Sequence, residues 1–240
     1  MPRIWVTSAE LEGPSVALQG EAHRYLVRVL RLQAGDTVDL FDGRGLEVGA
    51  TVTAVGPRDL TLALGERRRM QIPDAPPVTL LQGLPRAERM DLIVQKATEL
   101  GAVRVVPVRT ARSAAGQQAR LERWERIARE AARQCGRAEL MVVAPLLSLA
   151  EAIAGLGAGG TRVVPWEEAP AAPPLHALVP PQPSAVALLI GPEGGLTRDE
   201  VALATGAGFQ IATLGPRILR TETAAIAALA AIQSRVGGLG

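Results

Sequence analysis

Two stretches near the C-terminus carry the residue types best suited to chemistry. The first, AVALLIGPEGGLTRDEV (Ala185 to Val201), sets Gly191, Gly194 and Gly195 around Glu193, the one strongly polar group of its turn. The second, IATLGPRILRTETAAIAALAAIQ (Ile211 to Gln233), places Gly215 and Pro216 ahead of Arg217, Arg220, Thr221 and Glu222. Each reads as apolar strand, Gly/Pro turn and helix start. Both turns are therefore expected on the same edge of one parallel sheet, where α/β proteins bind ligands. The glycines remove side chains where a flat ligand approaches backbone. Neither turn is followed by Gly-Lys-Ser/Thr, and G-x-G-x-x-G is absent, so the two common phosphate-binding patterns are not met. An adenine-like ligand without phosphates, held largely by backbone groups, suits these turns better.

The elements that must position the turns follow from punctuation and period. Thr197 and Glu200 form a T-x-x-E capping box that starts a helix, and Thr221 is placed to cap the last one. That last helix, TETAAIAALAAIQSRV, is apolar nearly all round in its first half, so it is buried on most sides, either inside the domain or in a subunit interface. Upstream, VTLLQGL, VRVVPV and TRVVPW read as strands alternating with the helices AERMDLIVQKATELG and QQARLERWERIAREAARQCG, a pattern that implies a parallel sheet. EEAPAAPPLHALVPPQP (Glu167 to Pro183) reads as a long surface loop. The proline-bearing break IPDAPP (Ile72 to Pro77) separates this α/β region, 72–240, from an N-terminal region, 1–71. There, short strands punctuated by Gly, Pro and Asp suit a small β-barrel or sandwich. One helix, EAHRYLVRVLRL, gathers Arg24, Arg28 and Arg31 on one side. That side reads as a solvated basic face or an RNA-facing stripe, to which Arg67, Arg68 and Arg69 add.

Bulk composition narrows the class. Of 240 residues, 48% are hydrophobic and 21% charged, the balance of a soluble globular protein. Aromatics at 2% supply few base-stacking platforms. Lys96 is the sole lysine among 26 basic residues, so the positive charge is carried by guanidinium forks suited to phosphate and base recognition. The single Cys135 excludes an internal disulfide and fits a reducing cytosol, and two distant histidines make a metal site improbable. With no apolar run approaching a membrane span and no leader-like N-terminus, the expectation is a cytoplasmic protein.

The pieces HRYLVRVLRLQAGD, FDGRG, ERMDLIVQKATELG, RQCGR, LLIGPEGGLT and LGPRILRTETAAIAAL together resemble the SPOUT RNA methyltransferases. Within them, the chain is similar to the bacterial family that methylates N3 of a uridine in small-subunit (16S) ribosomal RNA. The last two pieces are the most specific. Two positions depart from the family pattern: Arg86 and Arg89 stand in a segment usually bearing lysine, and AELMVVAP lacks an early proline. The resemblance implies an N-terminal PUA-like β-barrel for RNA, a C-terminal parallel-sheet domain with a trefoil knot, S-adenosyl-L-methionine as cofactor, and a homodimer. A dimer favours the interface reading of the last helix.

Uridine N3 carries a proton and is not nucleophilic until that proton leaves, when negative charge spreads onto O2 and O4. The implied reaction needs a guanidinium near those oxygens and a proton acceptor. Arg220, and Arg112 from the loop after VRVVPV, are the candidates for charge stabilisation. Glu193 and Glu222 are candidates for the acceptor or for orienting Arg220. Cofactor contacts are expected from Leu189, Ile190, Gly191, Leu214, Gly215 and Leu219, with Glu193, Gly195 and Thr221 nearby. The alternatives are a non-catalytic RNA-binding ribosome-assembly factor, or the same fold acting on a different RNA nucleotide.

Overall fold

The computed structural model describes residues 1–71, 74–113 and 120–239. Two compact units emerge, Met1–Ile72 with Ala132–Leu140, and Pro73–Ala131 with Met141–Gly240.

In the first unit, β1 (Arg3–Trp5), β2 (Ser15–Gln19), a short helix α1 (Gly20–Arg24), β3 (Thr37–Phe41), β4 (Leu46–Val55) and β5 (Asp59–Arg69) form a five-stranded sheet ordered β1-β3-β4-β5-β2. Register shifts between Val48 and Ala50 and between Val52 and Ala54 bend β4, which curls the sheet around Leu26, Val38, Leu40, Leu60 and Leu62. The DGRG turn joins β3 to β4, with the Asp42 carboxylate accepting from the backbone N–H groups of Arg44 (2.7 Å) and Leu46 (3.1 Å). Residues 132–140, which spacing alone groups with the α/β region, join this unit. Arg3 Nη1 donates to the carbonyls of Ala132 (3.2 Å) and Arg137 (2.9 Å), and Leu140 N–H donates to the Gly43 carbonyl.

The helix expected over 21–32 is shorter and wider. After α1 the chain makes a π-helical turn at Tyr25–Val29, closed by Leu30 N–H to Tyr25 carbonyl (3.0 Å), and Arg31 adopts φ 57°. The wide turn seats Leu26 fully in the core. Arg24, Arg28 and Arg31 are exposed as expected, but they do not share a regular helical face. Arg67 and Arg68 are also committed: Arg67 donates to the Leu11 carbonyl (2.6 Å), and Arg68 pairs with Asp39 (2.8 Å) and Glu47 (3.4 Å). Both guanidinium groups are thus held by partners within this unit while remaining exposed.

The second unit runs β6 (Val78–Gly83), α2 (Ala87–Glu99), β7 (Arg104–Arg109), α3 (Leu121–Cys135, its last turn lying in the first unit), β8 (Val142–Val143), β9 (Leu147–Ser148), α4 (Leu149–Ala154), β10 (Thr161–Pro165), α5 (Leu175–Leu178), β11 (Val186–Ile190), α6 (Arg198–Gly206), β12 (Gln210–Ala212) and α7 (Thr221–Val236). The sheet is parallel throughout, ordered β12-β10-β11-β6-β7-β8, with β9 also pairing β7. Alternate residues of its strands enter separate cores. Val78, Leu80, Val186 and Leu188 pack with α2 and α7, whereas Leu81, Val106, Ala187 and Leu189 pack with α4 and α6. A sheet buried on both faces explains why its strands read as nearly continuous apolar runs. Residues 117–119 of the expected Arg-rich helix, and Ile72 and Pro73 of the expected break, lie outside the described residues. The proline-rich segment 167–183 is not wholly a surface loop, because the one-turn α5 buries Leu175 and Val179 nearly completely.

Among the described residues, no helix is long and apolar enough to cross a membrane. None of them form a cluster of three or more His, Cys, Asp or Glu that could hold a metal ion.

Candidate active site

Neighbouring strands β10 and β11 send their chains to opposite faces of the sheet, β10 into α5 and β11 into α6. Such a divergence opens a crevice at the carboxyl ends of the strands. A cavity of about 350 Å³ lies there. Its floor is Ile190, Gly191, Pro192, Glu193 and Gly195, one wall is the run Thr213–Thr221 with Ala224, and the other is Pro165, Trp166, Glu167 and Pro170, with Arg89 also lining it. The volume lies in the range of small-molecule sites.

The floor is fixed from below by a buried polar hub. Gln82, at the end of β6 and fully buried, shares its two Nε2 hydrogens among Thr221 Oγ1 (2.9 Å), the Gly83 carbonyl (2.9 Å) and the more distant Gly191 carbonyl (3.3 Å). Thr221 Oγ1 donates in turn to the Gly191 carbonyl at 2.6 Å. Thr221 is therefore not the cap of α7 that its type suggests. Arg220 occupies the N-cap position without a side-chain bond, and Thr221 turns inward to join α7 to the loop after β11. Gly83 permits this approach, since a Cβ there would lie 2.6 Å from Pro192 Cδ and 2.7 Å from Pro192 N. Gly195 (φ 72°) and Gly215 (φ 105°) hold left-handed conformations that other residues adopt only with strain.

The expected capping box starts α6. Thr197 Oγ1 accepts from Glu200 N–H (3.3 Å), while Glu200 Oε2 accepts from Thr197 N–H (2.8 Å). The second oxygen of Glu200 accepts from Ala111 N–H (2.7 Å), and Arg112 Nη1 donates to the Gly194 carbonyl (2.8 Å). The loop after β7 is thereby tied to the loop after β11.

Of the residues singled out from sequence, Ile190, Gly191, Glu193, Gly195, Leu214, Gly215, Leu219, Arg220 and Thr221 converge on this one cavity. Leu189, Arg112 and Glu222 do not line it. Leu189 is buried in the core beneath the opposite sheet face, and Arg112 braces the floor from outside. Glu193 Oε1 accepts from Arg86 N–H (2.9 Å) and lies 3.3 Å from Arg89 Nη1. Glu222 pairs with Arg89 at 3.8 Å, not with Arg220. Arg220 is exposed and has no ion pair or hydrogen bond among the described residues, so it stands at the cavity free to meet an incoming anion. Residue spacing did not single out Gln82, Arg89 or Glu167 as site residues. A polar Gln at the end of an otherwise apolar strand was the one available signal for Gln82.

Two family descriptions match this sequence: an RNA methyltransferase domain over residues 73–233 and an RNA methyltransferase PUA domain over residues 18–64. The chain belongs to this family of RNA methyltransferases. Its relatives include the ribosomal RNA small subunit methyltransferase E of Synechocystis sp., 35% identical over 97% of this chain and 77% of the relative. The protein of the same name from Bacillus subtilis is 32% identical over 92% and 90%. Among solved structures, ribosomal RNA small subunit methyltransferase E from Neisseria gonorrhoeae, bound to S-adenosyl methionine, superposes with a TM-score of 0.89 at 33% identity, covering 98% of this chain and 97% of the other.

Proposed function

We propose that this protein is an S-adenosyl-L-methionine-dependent methyltransferase acting on N3 of a uridine in small-subunit ribosomal RNA. The observation that carries the reading is the convergence of both Gly-bearing loops on a single cavity at the sheet's carboxyl edge, in a chain whose relatives carry that ribosomal RNA methyltransferase name. The cavity fits the cofactor: its floor and wall are largely apolar or backbone, its glycines leave room for a flat ring, and it has no phosphate-binding pattern. Ile190, Gly191, Gly195, Leu214, Gly215 and Leu219 would hold the adenosyl portion. When bound, the cofactor supplies an electrophilic methyl group on a cationic sulfur.

The chain's own groups supply the rest. Arg220, unpaired among the described residues and lining the cavity, is positioned to stabilise the charge that develops on the uracil oxygens. Glu193 also lines the cavity. With Oε1 engaged by Arg86 and Arg89, its other oxygen remains to accept the N3 proton. Glu222 acts through Arg89, helping to hold that guanidinium beside Glu193. Arg112 keeps the Gly194 turn in place through Nη1.

The region 1–71 is the RNA-binding domain in this reading and 72–240 the catalytic one. We further infer a trefoil knot, which is supported by the path of the chain from edge strand β12 back to α2 and β11 through a segment anchored on Gly191. A homodimer is supported by α7. One side of this helix enters the core through Ala225, Ala228, Leu229 and Ile232, while Ile226, Ala227 and Ala230 stay half-buried on the other. A ribosomal RNA substrate makes the cytoplasm the working compartment.

Mass spectrometry of ribosomal RNA from a strain lacking the gene tests the assignment. Loss of one 3-methyluridine from the small-subunit RNA is expected. An unchanged modification pattern refutes catalysis and leaves the assembly-factor reading, and loss of a different methylated nucleotide refutes the uridine target.

A further inference from the structure

We propose that Glu167 binds the ribose diol of the adenosyl ligand, an inference that rests on the cofactor reading above. Glu167 lies two residues beyond the end of β10, the parallel neighbour of β11 on the side away from β6. It therefore stands at the same carboxyl edge as the glycine turn and lines the cavity. Its carboxylate rests directly against Gly195, where any Cβ would collide with Oε1.

Pairing singles this carboxylate out. Adjacent Glu168 is bound to Arg198 at 3.0 Å, and Glu193, the other acid lining the cavity, has one of its two oxygens held by Arg86 N–H and Arg89. Glu167 has no ion pair or hydrogen bond among the described residues, so both of its oxygens are available to a ligand.

Four groups of an adenosyl amino-acid ligand could meet a carboxylate: the sulfonium, the ammonium, the ribose diol, and the adenine amine, whose two N–H bonds diverge from one nitrogen and so meet one carboxylate oxygen at most. The ammonium shares its carbon with a carboxylate, so an acid placed there gains attraction and repulsion together. The wall bearing Arg217 suits that end of the ligand better. A vicinal diol offers two O–H donors side by side, which match the two acceptor oxygens of one carboxylate. In dinucleotide-binding sheets an acidic residue binds the ribose hydroxyl beside a glycine turn. Glu167 beside the Gly191–Gly195 turn has the same relation of acid to glycines.

The test compares wild type and E167A by calorimetry with two probes, S-adenosylhomocysteine and 5′-methylthioadenosine. The second keeps the diol but lacks both charges of the amino-acid end. Glu167→Ala should weaken both ligands by a similar factor, about tenfold for a charge-assisted pair, with E167Q recovering part of the loss. Glu167 is exposed, so the melting temperature should not move. Unchanged affinity for both probes overturns the inference. A loss confined to S-adenosylhomocysteine also overturns it, by assigning Glu167 to the charged end. If wild type binds neither probe, the cofactor reading itself fails, a result distinct from the other two.

Discussion

Replacing Gly83 by alanine presses a single methyl group against the floor of the cavity. The added Cβ would lie 2.6 Å from Pro192 Cδ, 2.7 Å from Pro192 N and 3.0 Å from the Gly191 carbonyl carbon. Carbon contacts settle at roughly 3.5–4.0 Å, so the loop must retreat by about 1 Å. It has little freedom to do so, because Thr221 and Gln82 both hold the Gly191 carbonyl and proline stiffens the next position. Overpacking of this kind costs about 1–3 kcal/mol. For a chain of this size a 2 kcal/mol loss lowers the melting temperature by roughly 4–8 °C. Displacement of the floor by about 1 Å should also weaken S-adenosylmethionine at least about tenfold. Gly206→Ala is the control: it lies at the end of α6 with nothing within 4 Å of the added methyl, and should be neutral or slightly stabilising. Scanning calorimetry and titration calorimetry on both variants provide the readout. Wild-type melting and affinity in Gly83→Ala would refute the claim that this close approach shapes the site.

Further outcomes follow from the same geometry. Thr221→Val keeps the side-chain volume but strips a partner from both Gly191 and Gln82. Chemical denaturation should report a loss of about 1–3 kcal/mol, with Thr221→Ser close to wild type. Arg220→Ala breaks no contact among the described residues, so stability should stay within about 0.5 kcal/mol while single-turnover methyl transfer falls about 100-fold. Equal rates at matched cofactor occupancy would remove Arg220 from the mechanism. At the start of α4, hydrogen bonds from the Ser148 hydroxyl and backbone hold the Glu151 carboxyl below its ordinary value. Its contribution is thus complete above the unfolded-state value and fades as pH falls through the lowered one. A carbon-13 titration should show the Glu151 midpoint rising in Ser148→Ala.

Much of the catalytic half was legible because its signals are local. Strands β6, β7, β10 and β11 are short apolar runs closed by turns, and the Thr197–Glu200 cap spans three residues. The two loops could be placed on one edge by alternation of strand and helix alone. The residues that escaped notice act across long sequence separations. Gln82 and Thr221 meet across 139 positions, and Gly83 matters only because Pro192 folds onto it. Charge type alone also misled. It gave no sign that Arg67 and Arg68 are held by carbonyls and carboxylates of their own unit, and Glu222, a candidate for orienting Arg220, pairs with Arg89. The π-turn at Tyr25–Val29 escaped because helical period cannot register one inserted residue, and residues 132–140 joined the first unit through bonds from Arg3.

The most direct test of the central claim is methyl transfer by the purified protein to small-subunit particles and to free 16S ribosomal RNA, using labelled S-adenosylmethionine and locating the product by nuclease mapping and mass spectrometry. The account predicts one labelled 3-methyluridine at a single site, abolished when Gly195→Val closes the cavity. Cofactor binding with no label in RNA, or label on another base, would contradict it.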